Sequence, residues 1–244
     1  MASSREDVKS WGGYASSEPR LTQEIGSEWV NQTSTRNDKI LHRRDKVSGL
    51  YNITTAGGDH IQVYNDMETP SGPWIVIQRR TIGDVDFYRE WADYKMGFGD
   101  LHGDFWIGND NLNLLTTTPR ILRVELEAED GEKGYAEYSN FTVANEGQKY
   151  KLFVGGFSGN LSFDAMENHH DQRFSTYDQD NDRAHIHCAV QRHGGWWYKW
   201  CYRANLNGRY MRGDGADLST SMNWWYFPNG VQLTPLSKSK MMIR

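Results

Sequence analysis

Phe174-Ser-Thr-Tyr-Asp-Gln-Asp-Asn-Asp-Arg-Ala-His-Ile-His-Cys188 and Gly194-Gly-Trp-Trp-Tyr-Lys-Trp-Cys201-Tyr-Arg-Ala-Asn-Leu-Asn-Gly-Arg-Tyr210 decide how this chain is read. The first stretch places Asp178, Asp180, Asn181 and Asp182 within five residues. Asp180 and Asp182 are two apart, so one turn can aim both carboxylates at a single point. Like charges in one loop repel, and a hard cation relieves the repulsion. Ca²⁺ does this with oxygen ligands that include backbone carbonyls and waters. The spacing is not that of an EF-hand, whose later Gly and bidentate Glu are missing. A solvated acidic turn accounts for the spacing equally well. His169-His170 and His185-x-His187 bring no third nitrogen or sulfur ligand at a standard spacing, so they read as surface or packing histidines.

The second stretch carries Trp196, Trp197, Tyr198, Trp200 and Tyr202 in seven residues. A core cluster accounts for Trp196 and Trp197. The others are expected at a surface or cleft, where aromatic faces stack on apolar ligand faces. The chain has 2 cysteines. A Cys188–Cys201 bond would close a loop of roughly 14 residues, worth about 3 kcal/mol by chain entropy. It would pin the acidic turn beside the aromatic run, and it requires an oxidising compartment.

Upstream of this region the pattern is strand-like. Ser48-Gly-Leu-Tyr-Asn-Ile53 and His60-Ile-Gln-Val-Tyr64 alternate around Gly57-Gly58, and Trp74-Ile-Val-Ile-Gln-Arg-Arg80 is a β-branched run. Arg120 to Glu127, Gly134 to Phe141 and Tyr150 to Phe157 read as three more strands. Phe87, Trp91 and Tyr94 have helical spacing over Asp86 to Met96. Asn109 to Thr116 reads as a short helix capped by Asn109 or Asp110. Beyond about residue 158 periodicity fades into Gly, Asn, Asp and aromatic residues. Loops on a rigid scaffold commonly carry function. The fold class is therefore α+β: an antiparallel sheet, a few helices and a long irregular C-terminal region. Residues 1–34 are polar and Ser-rich. Leu21, Ile25, Trp29 and Val30 suit either a loosely ordered extension or a short oligomerising helix, which needs a partner to be stable.

The 244 residues carry 27 Lys+Arg against 32 Asp+Glu, a net charge of −5. That balance argues against nucleic acid as the main partner, because phosphate binding needs a concentrated basic face. No run is long and apolar enough for a transmembrane helix. Met1-Ala-Ser-Ser-Arg5 lacks the apolar core of a signal peptide. Sequons stand at Asn31, Asn52, Asn140 and Asn160, and Arg212-Gly-Asp214 is an integrin-type tripeptide with a high false-positive rate. No nucleophile elbow, phosphate loop or metalloprotease helix is present, so the visible chemistry is that of binding.

Together the opening motifs resemble the fibrinogen-related (fibrinogen C-terminal) domain. Ser48-Gly-Leu-Tyr51, Val63-Tyr-x-Asp-Met67, Trp74-x-Val-Ile-Gln-Arg-Arg80, Asp86-Phe-x-Arg-x-Trp91, Tyr94-x-x-Gly-Phe-Gly99, Phe105-Trp-Ile-Gly-Asn109 and Met242-Ile-Arg244 follow in the family's order. The resemblance covers about residues 35–244. It implies a small N-terminal subdomain, a central antiparallel sheet with packed helices, and a loop-rich C-terminal subdomain holding Ca²⁺ and the ligand pocket. It implies calcium ligands at the side chains of Asp180 and Asp182 and the backbone carbonyls of Ala184 and Ile186. It also implies a pocket beside Cys201, at a Trp200–Cys201 bond that is often cis in the family.

The acetyl-binding members of the family use a Tyr, a His, a Tyr and an Ala where this chain has Arg192, Tyr202, Leu218 and Ser219. The substitutions have a direction. Arg192 offers a planar cationic fork suited to a carboxylate, with Trp200 and Tyr202 as apolar walls and Ser219 as a hydroxyl. A further disulfide usual in the first subdomain is missing, its positions corresponding to Arg36 and Asn65. The resulting expectation is a secreted, calcium-dependent lectin acting as a homo-oligomer. It would bind sialic acid or other N-acetylated glycans in cell-surface or pathogen recognition and agglutination, as ficolin- and tachylectin-type lectins do. The missing leader then reads as a mature start. The alternatives are a protein-binding module using the same cleft for a peptide or receptor loop, and a hydrolase.

Overall fold

The computed structural model describes residues 47–55, 57–210, 217–228 and 230–244. The N-terminal extension, Asn31, Arg36 and Arg212-Gly-Asp214 lie outside the described residues.

A nine-stranded antiparallel sheet organises the molecule. Strands β1 (Gly49–Thr54), β2 (His60–Asp66) and β3 (Trp74–Arg80) pair in sequence order. The short β4 (Phe98–Gly99) and β5 (Phe105–Trp106) hang off β3. Strands β6 (Arg120–Ala128), β7 (Lys133–Val143) and β8 (Leu152–Gly159) form a meander. The last strand, β9 (Leu236–Ile243), returns to the middle and joins the halves, giving the order β1-β2-β3-β9-β6-β7-β8.

That central strand was not legible as one. Ser237-Lys-Ser-Lys240 has poor intrinsic strand character, which is overridden by its neighbours. Met241, Met242 and Ile243 are buried in the core. On the solvated face Lys240 bridges Asp66 at 2.7 Å and Glu125 at 2.8 Å, and Lys238 bridges Glu127 at 2.7 Å.

Two helical readings need correction. The helix expected over Asp86 to Met96 exists only as α1 (Trp91–Met96). Asp86 Oδ1 accepts the Tyr88 amide at 2.9 Å, an Asx-type turn that competes with helix. The Trp91 amide donates to Asp178 at 2.9 Å, across 87 residues of sequence. The second helix, α2 (Asn109–Leu115), has Gly108 and not Asn109 or Asp110 at its N-cap. Asn109 is inside the helix because its side chain accepts the Trp106 indole N–H at 3.1 Å.

The loop-rich region after β8 contains α3 (Cys188–Arg192) and few other regular elements. It is fastened to the sheet by aromatic packing. Phe174 lies 5.2 Å from Trp197, 5.1 Å from Tyr94 and 6.0 Å from Trp106, ring centre to ring centre. Trp196, Trp197 and Tyr198 are fully buried, so Gly194-Gly195 must pass against other groups. A Cβ on Gly195 would stand 2.5 Å from the Tyr94 ring, and one on Gly194 2.3 Å from the Asn207 carbonyl. Arg80 of β3 reaches into the same region and donates to the carbonyl of Gly208 at 2.9 Å. Burial lowers its pKa to about 10, which leaves it charged at neutral pH.

Candidate functional site

Cys188 and Cys201 are bonded, with Cα atoms 5.2 Å apart. The bridge brings the acidic turn against the aromatic run, and the Arg183 amide adds a bond to the Lys199 carbonyl at 3.2 Å. The turn folds on its own carboxylates. Asp182 accepts the amides of Ala184 at 2.7 Å and Cys188 at 2.9 Å, and Asp180 accepts the amide of Asp182 at 3.1 Å. Burial, and the Asp180 carboxylate beside it, push Asp182 above the usual carboxylate range. The loop therefore holds two carboxylates close enough to repel.

Among the described residues no group of three or more His, Cys, Asp or Glu is placed to hold a metal. The family's Ca²⁺ site needs only two carboxylates, with carbonyls and waters supplying the rest. The carbonyls of Ala184 and Ile186 accept no hydrogen bond from the described residues. The residues present thus fit a hard cation in donor type. The histidines serve other purposes. His187 Nε2 bonds the Thr176 carbonyl at 3.0 Å, and His185 lies edge-on to Trp200 at 6.1 Å.

Arg192 ends the helix that Cys188 begins, Trp200 and Tyr202 flank Cys201, and Ser219, next to Leu218, is tied to Tyr202 by a hydrogen bond. Arg192 ends α3, and its guanidinium carbon lies 5.7 Å from the centre of the Tyr202 ring. Its Nε is buried without a hydrogen-bond partner, and it makes no ion pair within 4.0 Å among the described residues. Trp200 is 64% exposed and Leu218 40% exposed. Tyr202 is buried, and so forms a floor more than a wall. Its hydroxyl donates to the Ser219 carbonyl at 2.8 Å and accepts from Asn223 at 3.2 Å. The Ser219 hydroxyl, expected to face a ligand, donates instead to Asp217 at 2.7 Å. Those Ser219 bonds, and then the charges of Arg192 and His193, hold Asp217 below its usual pKa.

The expected cis bond at Trp200–Cys201 is absent. The cis bonds among the described residues are Gly72–Pro73 and Phe227–Pro228. The chain reverses through a left-handed Cys201, φ 59°, closed by the Lys199 amide on the Cys201 carbonyl at 3.1 Å.

Two positioning residues were not singled out by sequence. Asn205 donates to the carbonyls of Arg192 and Ser221, both at 3.1 Å, and accepts from Tyr198 at 3.0 Å. It clamps the backbone beneath Arg192 to the far wall. His169 is fully buried, bonding the Trp197 carbonyl at 2.7 Å through Nδ1 and accepting the Ala204 amide at 3.1 Å through Nε2. It ties both sides of the turn that presents Trp200. The only signal for Asn205 was its place in the Asn205-Leu-Asn-Gly motif.

A groove of about 560 Å³ lies elsewhere, on the solvated face of the sheet. Most of its charges pair with one another, while Arg79 bonds the Leu101 carbonyl at 2.9 Å and stacks on Tyr64. Arg123 meets Glu125 and Glu137, while Lys240 and Lys238 hold the pairs already given.

Residues 34–244 match the family model described as fibrinogen beta and gamma chains, C-terminal globular domain. The chain belongs to the fibrinogen C-terminal domain family. Among curated relatives of this family member, human (Homo sapiens) angiopoietin-related protein 7 is 38% identical over 251 aligned positions, covering all of this chain and 72% of that protein. Ryncolin-4 of Cerberus rynchops is 42% identical over 195 positions, covering 79% of this chain and 56% of that protein. The fibrinogen-like globe domain of human ANGPTL2 superposes with a TM-score of 0.77 at 36% identity, covering 81% of this chain and 92% of that one. A lamprey fibrin D-dimer, solved with the peptide Gly-His-Arg-Pro-amide, gives 0.71 at 29% identity, covering 82% of this chain and 70% of that one. The α+β fold with its central antiparallel sheet is thereby confirmed.

Proposed function

We propose that this chain is an extracellular, non-enzymatic recognition module. Its cleft at Arg192, Trp200 and Leu218 takes an acidic segment of a protein partner. The observation that carries this is Arg192: a half-buried cation whose Nε has no partner among the described residues, 5.7 Å from the centre of the Tyr202 ring, with exposed Trp200 two residues before Tyr202 and exposed Leu218 beside the Ser219 carbonyl that Tyr202 bonds. A guanidinium in that setting recognises a carboxylate, and the flanking apolar surfaces recognise its neighbours. Kinship with angiopoietin-related proteins and the peptide in the lamprey fibrin relative favour a protein ligand over a sialylated glycan. Asp217 Oδ1 accepts both the amide and the hydroxyl of Ser219. The disulfide supports an oxidising, extracellular setting.

The test is binding of short peptides carrying an acidic residue beside a bulky apolar one, measured by calorimetry. Arg192→Ala should weaken binding about 10- to 100-fold, the range for a lost hydrogen bond to a charged group. Trp200→Ala should weaken it less. Unchanged affinity in Arg192→Ala overturns the reading. Binding to sialylated structures on a glycan array, lost in Arg192→Ala, with no peptide bound, would make the module a lectin.

Ca²⁺ belongs to the same proposal. Asp180, Asp182 and the carbonyls of Ala184 and Ile186 would hold it, and bound cation would cancel the repulsion in the turn. Saturating Ca²⁺ at about 100 times its dissociation constant adds about 3 kcal/mol. EDTA should therefore lower the melting temperature by about 5–10 °C. An identical melt with and without EDTA removes calcium from the account.

A further inference from the structure

The sequons play no part in the cleft. Three of them lie among the described residues, all on or at the end of the sheet, and their surroundings differ. Asn52 is exposed in the middle of β1, which closes one edge of the sheet among the described residues. It stands across from the exposed Gln62 and next but one to Leu50, which is 40% exposed. Asn140 is exposed in β7, near the opposite edge, and its cross-strand neighbour is Gly155. A Cβ at Gly155 would meet nothing within 4 Å, so the space above Asn140 is open. Neither side chain makes a hydrogen bond among the described residues, and each is followed at the second position by a Thr. Asn160 differs. Its side-chain oxygen accepts the Tyr135 amide at 2.7 Å, and it lines the sheet groove and a neighbouring aromatic pocket.

We propose that Asn52 and Asn140 are N-glycosylated, so that the two edges of the solvated sheet face are shielded while the Arg192 cleft stays bare. The acceptor is the carboxamide Nδ2, and the donor is a lipid pyrophosphate-linked oligosaccharide of the secretory lumen. The Nδ2–C1 bond forms as the C1–O bond to the pyrophosphate breaks. The lipid pyrophosphate leaves with the electron pair, and the Nδ2 proton passes to a base of the transferase. Asn-x-Thr in exposed strands satisfies both the transferase and the fold, since the attached sugar projects into solvent. On β1 it also covers Leu50 and hinders pairing of an exposed edge with a second chain.

The proposal rests on the extracellular reading but not on the identity of the cleft ligand. The chain is secreted from an animal cell line, digested, and treated with PNGase F, which converts a glycosylated Asn to Asp. Conversion at both Asn52 and Asn140 is the expected result. Glycan-free Asn52 or Asn140 in the secreted chain overturns it, whatever happens at Asn160. Asn52→Gln and Asn140→Gln should each remove one step of the gel shift. The sheet-face assignment is tested on the intact protein: PNGase F treatment should change the affinity for an acidic peptide less than 2-fold. A 10-fold gain on deglycosylation would place a glycan over the cleft and overturn that part.

Discussion

Between about pH 7 and about pH 5 the folded protein should lose about 2 kcal/mol of stability through His169 alone. Burial lowers the pKa of this imidazole from 6.5 to about 4. A folded-state pKa below the unfolded one means that the neutral form is favoured by folding. The stability is complete above the unfolded value of 6.5 and drains away as pH falls through about 4. Its full size is about 3 kcal/mol. Hydrogen-bond geometry acts in the same direction as burial. The ring is fixed as the Nδ1–H tautomer by the Trp197 carbonyl, and Nε2 must stay unprotonated to accept the Ala204 amide. Protonation would set a donor against a donor inside the core. Urea unfolding at a series of pH values measures the loss. His169→Gln removes this titration, so its midpoint should be lower at neutral pH and fall less over the same interval, His193 still contributing a smaller loss of the same sign. A wild-type midpoint that does not move between those pH values contradicts the assignment. Asp66 adds a separate acid loss at lower pH. Despite some burial, its bonds to Lys240 and Thr69 bring its pKa down to about 2, so its contribution fades as pH falls from 3.8 toward that value.

Opening the Cys188–Cys201 bridge should be of similar size. The two residues are 13 apart, and releasing a loop of that length costs about 3 kcal/mol by chain entropy. The double variant Cys188→Ser, Cys201→Ser should melt about 6–12 °C lower. The functional loss should exceed the loss of stability. The Cys188 amide is one of the two donors that fix Asp182, and Cys201 holds the left-handed turn beneath Trp200. Affinity for the acidic peptide should therefore fall even at temperatures where the variant remains folded. Circular dichroism melts paired with calorimetry separate the two effects. An unchanged melting temperature would show that the aromatic core alone holds this region.

Much of the site was legible because its chemistry is local in sequence. Asp180, Asp182 and Cys188 sit within one turn, and the aromatic run and Cys201 follow within a few residues. What sequence could not give was which groups remain available. Tyr202 and Ser219 look like ligand contacts on paper, yet each is satisfied by residues 15 or more positions away or by a neighbouring carboxylate. His169 looked like an ordinary histidine because its partners, Trp197 and Ala204, are 28 and 35 residues distant. Burial and partner choice are properties of the packed state.

By itself the sequence determined the family, the strands with strong alternation, the single disulfide and the acidic turn. Each depends on residues close in the chain or on motifs in fixed order. Tertiary structure alone decided that Ser237-Lys-Ser-Lys240 becomes part of the central strand, because Asp66, Glu125 and Glu127 neutralise its lysines from other strands. It alone shortened α1, through an amide bond to Asp178. It alone left the Arg192 Nε buried with no hydrogen-bond partner among the described residues, its guanidinium lying toward the Tyr202 ring. Local pattern selects an element or a motif. Competition among distant groups for the same hydrogen bonds and charges decides which of them stays free to bind.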